Sequence, residues 1–172
     1  MFTSLKQKTH VVIKVMFVCL GNICRSPLAE AIFKRQVADL DLSDKIKCDS
    51  SGTSNYHIGE DPDHRTVTNA LKNGLRLDHK GQQFKVEHFA LYDYIIAMDQ
   101  SNLEDILLLQ EAHRAYEFGL MKMRQFDNLG KGSDVPDPYF GGPQGFQHVF
   151  EILDRCNKHF LDYLIKKHAL IQ

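Results

Sequence analysis

Four cysteines in 172 residues are too few for a disulfide scaffold, and Cys19, Cys24, Cys48 and Cys156 form no C-x-x-C pair. No Cys/His cluster has convincing zinc spacing, so reduced thiols are expected and neither metal nor cofactor is called for. Long hydrophobic runs are also missing: no apolar stretch reaches the roughly 18 residues that would suggest a membrane span. Met1 to His10 carries Lys6 and Lys8, lacks a small-residue cleavage site, and is followed by an apolar run that Lys14 interrupts. This is not the pattern of a secretory signal, and a soluble, cytoplasmic protein with no membrane partner is expected. Charge of one sign is equally scarce, with 21 Lys and Arg against 22 Asp and Glu. That balance argues against nucleic acid as a partner. No linker, repeat or low-complexity tract divides the chain, and 43% hydrophobic residues suffice for one core.

What is present is an alternation of short apolar runs and longer helical patterns. Val11 to Leu20 reads as a buried strand that ends at the turn-prone pair Gly21-Asn22. A helix follows at once: Ser26 is a candidate cap, Pro27 suits a first turn, and Leu28, Ala31, Ile32 and Val37 share one face. Further strands are predicted over Ile46 to Ser50, Tyr94 to Met98 and Met121 to Phe126, and helices over Arg65 to Lys72 and Asn102 to Glu111. Ser50 to Asn55 and Lys131 to Gly142 read as loops. Phe146, Val149, Phe150, Leu153, Phe160 and Leu164 mark a long amphipathic helix covering the sheet. The order predicts a single α/β domain with a four-stranded, parallel, twisted sheet and helices on both faces. Ligands of such folds bind at the carboxyl ends of the strands, which is where Cys19 to Ser26 falls.

In Cys19-Leu20-Gly21-Asn22-Ile23-Cys24-Arg25-Ser26, five residues separate a cysteine from an arginine between a strand and a helix. Inward loop amides and a helix N-terminus create positive potential that suits a phosphate dianion and a thiolate alike. Gly21 and Asn22 are residue types that tolerate positive φ. Arg25 offers a planar fork to two phosphoryl oxygens, and Ser26 can donate to the sulfur. The spacing alone is a weak signal; its place after a strand strengthens it. No G-x-x-x-x-G-K-[ST] motif is present, so this is not a nucleotide-binding Walker loop.

Val18-Cys19-Leu20-Gly21-Asn22-Ile23-Cys24-Arg25-Ser26-Pro27 resembles the signature of the low-molecular-weight protein-tyrosine phosphatases. The similarity continues through Asp49-Ser50, Gly52-Thr53-Ser54, Ile58-Gly59, Tyr94 to Asn102 and Asp137-Pro138-Tyr139. It makes residues 11–172 the phosphatase domain and residues 1–10 an extension. The resemblance implies that Cys19 attacks phosphorus to give a phosphocysteine, that Arg25 and the amides of Leu20 to Ser26 stabilise the phosphoryl oxygens, and that Asp137 is the general acid. Tyr56 and Tyr139 match the aromatic walls of the family's pocket, which would select phosphotyrosine proteins or small aryl phosphates. Phe140 departs from the second tyrosine that many relatives carry.

Asn22, Ser50 and His79 match residues that hold the loop in shape, although nothing in the sequence separates His79 from the eight other histidines. Asp99 either orients Arg25, caps the next helix, or does both. Cys24 resembles a thiol that shields the nucleophile by reversible disulfide formation in some relatives; its other reading is a small buried hydrophobe. Three rival functions remain open. Phosphoarginine-cleaving relatives tend to carry Thr where this chain has Ile23. Thiol-linked arsenate reduction needs further cysteines, and none lies between Ala70 and Phe89. A phosphotyrosine-binding scaffold that has lost catalysis would need neither the thiol nor the acid.

Overall fold

The computed structural model describes residues 12–111, 118–139 and 141–171. Its first strand, β1 (Ile13–Cys19), is followed by α1 (Arg25–Asp39), β2 (Ile46–Gly52), α2 (His64–Lys72), the short α3 (His88–Leu91) and β3 (Tyr94–Ala97). The chain continues through α4 (Gln100–Glu111), β4 (Gly119–Lys122), a 3-10 turn (Met123–Phe126) and α5 (Pro143–His168). The strands lie in the order β2-β1-β3-β4, and every neighbouring pair is parallel.

Alternation along β1 divides the core into two layers. Val15, Phe17 and Cys19 face the side covered by α1 and α5, where Phe33 meets Phe17 edge-on at 5.5 Å and stacks on Phe160 at 5.4 Å. Met16 and Val18 face the opposite layer with Ile95, Phe89 and Ile106, the last two from α3 and α4. Helices therefore lie on both faces, as the element order predicts. Among the described residues no helix is long and apolar enough to cross a membrane.

Several local expectations need correction. The fourth strand ends at Lys122, because β3 is only four residues long and pairing runs out at Ala97 with Lys122. Met123 to Phe126 coils into the 3-10 turn, which buries Met123 and packs Phe126 on Phe160. Ser26 is not the cap of α1: the helix starts at Arg25 with Cys24 in the capping position and no side-chain cap. β2 runs on to Gly52, so Ser50 and Ser51 belong to the strand and are buried. Gly52 is needed there, since a Cβ would stand 2.6 Å from the Leu20 carbonyl oxygen. The sequence reading also passes over α3, whose four residues are too few to show a period. Val11 and Phe140 lie outside the described residues.

Candidate active site

β1 delivers Cys19 to its carboxyl end, and the chain then turns within five residues into α1. Asn22 makes the turn possible with φ of 56°, a left-handed conformation that asparagine tolerates better than most residues. Gly21 does not take positive φ. It faces His57 instead, where a Cβ would meet the imidazole Cδ2 at 3.1 Å.

The sulfur of Cys19 sits among donors. Ser26 Oγ is 2.9 Å away, and the Asn22 backbone N–H donates to it at 3.3 Å. Because α1 has no side-chain cap, its first-turn amides are open to an anion in front of it. Asn22 organises what lies behind. Its amide nitrogen donates to Ser26 Oγ at 2.8 Å and Ser50 Oγ at 3.0 Å. Its oxygen accepts from the Gln82 backbone N–H at 2.9 Å and lies 2.7 Å from His79 Nε2. Ser50 in turn donates to Glu30 Oε2 at 2.6 Å, and His79 Nδ1 is 3.2 Å from the same oxygen. Lys34 pairs with the other Glu30 oxygen. Burial opposes charge on Glu30, but the bonds from His79, Lys34 and Ser50 outweigh it and hold the carboxylate below its ordinary range.

Arg25 is 3% exposed. Its Nη1 donates to Asp99 Oδ2 at 2.6 Å and to the Val135 carbonyl at 3.0 Å, and its Nη2 reaches Asp137 Oδ2 at 3.3 Å. Burial disfavours the guanidinium charge, yet the Cys19 sulfur and the carboxylates of Asp99 and Asp137 more than offset it, so the pKa is raised. Asp99 has both geometries the sequence left open: Oδ2 holds Arg25 while Oδ1 accepts from the Asn102 N–H of α4 at 2.7 Å. Cys24 is buried, and desolvation pushes its thiol up to about 12.

Asp137 arrives from the loop between the 3-10 turn and α5. Val135 is completely buried, and its N–H donates to the Met98 carbonyl at 2.8 Å, which pins that loop to the end of β3. The result is an open cavity of about 230 Å³. Cys19 and Arg25 lie along it with Leu20, Gly21, Ile23 and Cys24, Asp137 borders it, and Tyr56 and Tyr139 stand at its sides. Asn22, Ser26, Ser50, His79 and Asp99 support it from behind through the bonds above.

His57, Glu30 and Gln82 are part of this arrangement and were not singled out from the sequence. Glu30 lies four residues after Ser26, so one turn of α1 places it on the same face. That spacing was the available signal. Gln82 has none, because its N–H meets Asn22 only once the segment 81–84 pairs with Gly52.

Residues 14–170 match the family model described as low molecular weight phosphotyrosine protein phosphatase. A low molecular weight phosphotyrosine protein phosphatase of Saccharomyces cerevisiae is 43% identical over 150 residues, covering 87% of this chain and 93% of the relative. Among solved structures, a protein tyrosine phosphatase of Entamoeba histolytica superposes with a TM-score of 0.83 at 35% identity, over 91% of this chain and 99% of the other. An arginine phosphatase of Drosophila gives a TM-score of 0.82 at 31% identity, over 88% of this chain and 97% of the other. The cysteine at the strand end, the loop around it and these likenesses agree, and the chain belongs to the low-molecular-weight phosphotyrosine protein phosphatase family of hydrolases.

Proposed function

We propose that this chain hydrolyses phosphotyrosine, in proteins or as small aryl phosphates, through a phosphocysteine on Cys19. The observation that carries the reading is the Cys19 sulfur surrounded by the Ser26 hydroxyl and the Asn22 N–H, with Arg25 and Asp137 beside one open cavity. Sulfur attacks phosphorus as the bond from phosphorus to the tyrosine oxygen breaks, and Asp137 gives its proton to that oxygen. Water then attacks phosphorus and gives a proton back to Asp137, while the phosphorus–sulfur bond breaks and restores the thiolate. Arg25 and the amides of Leu20 to Ser26 stabilise the equatorial oxygens in both steps. A phenol with a pKa of about 10 leaves poorly without a proton, so the acid matters most for tyrosine. Tyr56 and Tyr139 would flank the substrate ring. A reducing, cytoplasmic setting suits a free cysteine nucleophile.

The test is Cys19→Ser, which should abolish turnover while the protein still binds vanadate. Residual hydrolysis near the parent's rate would sink the mechanism. Phosphoarginine hydrolysis is a second reading, favoured by the likeness to the Drosophila enzyme. Ile23 lines the cavity with an apolar side chain where a hydroxyl would serve a guanidinium better. Comparing turnover of phosphoarginine and phosphotyrosine decides between them, and a preference of the parent protein for phosphoarginine reverses the assignment. We further assign Cys24 a protective role toward an oxidised Cys19, from its place in the same loop. Peroxide-inactivated parent should recover with dithiothreitol and Cys24→Ser should not; equal recovery removes the role.

A further inference from the structure

We infer that Arg65 is a positioning residue that ties the loop carrying Asp137 to the phosphate-binding loop and thereby sets where the acid stands. The inference rests on the assignment of Asp137 as general acid.

Arg65 lies in the first turn of α2, beside the cavity but not among its walls. The turn is fastened to the phosphate-binding loop, because the Asp63 N–H donates to the Ile23 carbonyl at 2.8 Å. The Asp63 carboxylate caps the helix by accepting from the Arg65 N–H at 2.8 Å. It also takes both the Arg65 Nε at 3.0 Å and Nη2 at 2.7 Å, a two-toothed grip that fixes the guanidinium plane. The remaining nitrogen, Nη1, donates to the Tyr139 carbonyl at 2.8 Å. The guanidinium carbon lies 4.9 Å from the centre of the Tyr139 ring and 5.0 Å from that of Phe146, in the first turn of α5.

Asp137 is thus held from both sides. Two residues before it, Val135 is bonded to Met98 and Arg25. Two residues after it, Tyr139 is bonded to Arg65, and the Tyr139 N–H donates to Asp137 Oδ1 at 3.0 Å. A plain capping pair on α2 would explain the bonds to Asp63. It does not require the bond to Tyr139 or the ring contacts, which reach across to the other loop. Lysine could not substitute, since one ammonium cannot grip both carboxylate oxygens, reach the carbonyl and lie flat against two rings.

Single-turnover phenol release from a series of aryl phosphates tests this, with Asp137→Asn as reference and vanadate binding and thermal melting as controls. Arg65→Gln should slow release from phosphotyrosine by about 10-fold or more, since small misplacement of a catalytic group is costly. Strongly acidic phenols should be released within about twofold of the parent rate, because they need little protonation. Vanadate affinity should be unchanged. Arg65→Lys keeps the charge, carries the test if the glutamine variant folds poorly, and should resemble Arg65→Gln. A uniform loss across the series, parent rates with only a lower melting temperature, or full activity in Arg65→Lys overturns the inference. If Asp137→Asn itself leaves the leaving-group dependence unaltered, the acid assignment fails first and the role of Arg65 falls with it. A steeper dependence in Asp137→Asn but not in the Arg65 variants rejects Arg65 alone.

Discussion

In and just behind the floor of the cavity Asn22, Arg25, Ser26 and Ser50 are each at most 3% exposed, whereas on its rim Tyr56 is 72% and Tyr139 42% exposed. Floor residues bond to one another and to Glu30, His79 and Asp99, so that few buried polar groups are left to find partners after a ligand arrives. Rim residues are carried by loops. The contrast separates two tasks. Under the proposed function, a preorganised floor would stabilise phosphoryl oxygens without reorganisation at the moment of reaction, while an exposed aromatic rim would select what the phosphate is attached to.

The largest effect that would break this comparison is expected at Asn22. Asn22→Ala removes four hydrogen bonds and places a Cβ-bearing residue without a polar side chain at φ of 56°. Each buried partner left unsatisfied costs about 1–3 kcal/mol, so kcat/KM should fall by about 100-fold or more and stability by a few kcal/mol. Asn22→Gly relieves the backbone strain but not the lost bonds, and should recover only a small part. Parent-like activity in Asn22→Gly would mean the loop needs its conformation and not its network.

At the rim the expected change is smaller and of another kind. Tyr56→Ala should raise KM for phosphotyrosine by roughly 2- to 10-fold, the worth of one ring contact, with kcat for the chemical step and stability nearly unchanged. A fall in kcat alone would place Tyr56 with the floor.

The smallest effect sharpens the account through pH. The depressed pKa of Glu30 contributes stability that is present above its ordinary value of 4.5 and is lost as pH falls through the folded value. Glu30→Gln cannot titrate, so its stability should decline less steeply below that pH, by up to about 1.4 kcal/mol per pH unit for one proton. Equal acid slopes in the two proteins would show that Glu30 is not held by its partners.

The same division explains what could be read from the chain in advance. Contiguous features were legible: the buried strand, the Cys19 to Ser26 segment and the alternation of strands and helices follow from local pattern. The floor's outer support was less so. Glu30 looks like any helical acid, and Gln82 and His79 join only when a segment more than fifty residues away folds under the loop. Ser26 misled as a cap because its hydroxyl serves Asn22 and Cys19 instead of the helix amides. Arg65 and Asp63 sit two apart in sequence, but the contact that gives them meaning, with Tyr139, spans 74 residues.

The most direct test of the central claim is capture of the covalent intermediate. Protein mixed with phosphotyrosine and quenched in acid within one turnover should carry one phosphoryl group, found by mass spectrometry on the peptide containing Cys19, and Asp137→Asn should alter how much accumulates. Phosphate found on another residue, or an isotopically chiral phosphoryl group passed to an alcohol acceptor with inversion of configuration at phosphorus, would contradict a phosphocysteine on Cys19.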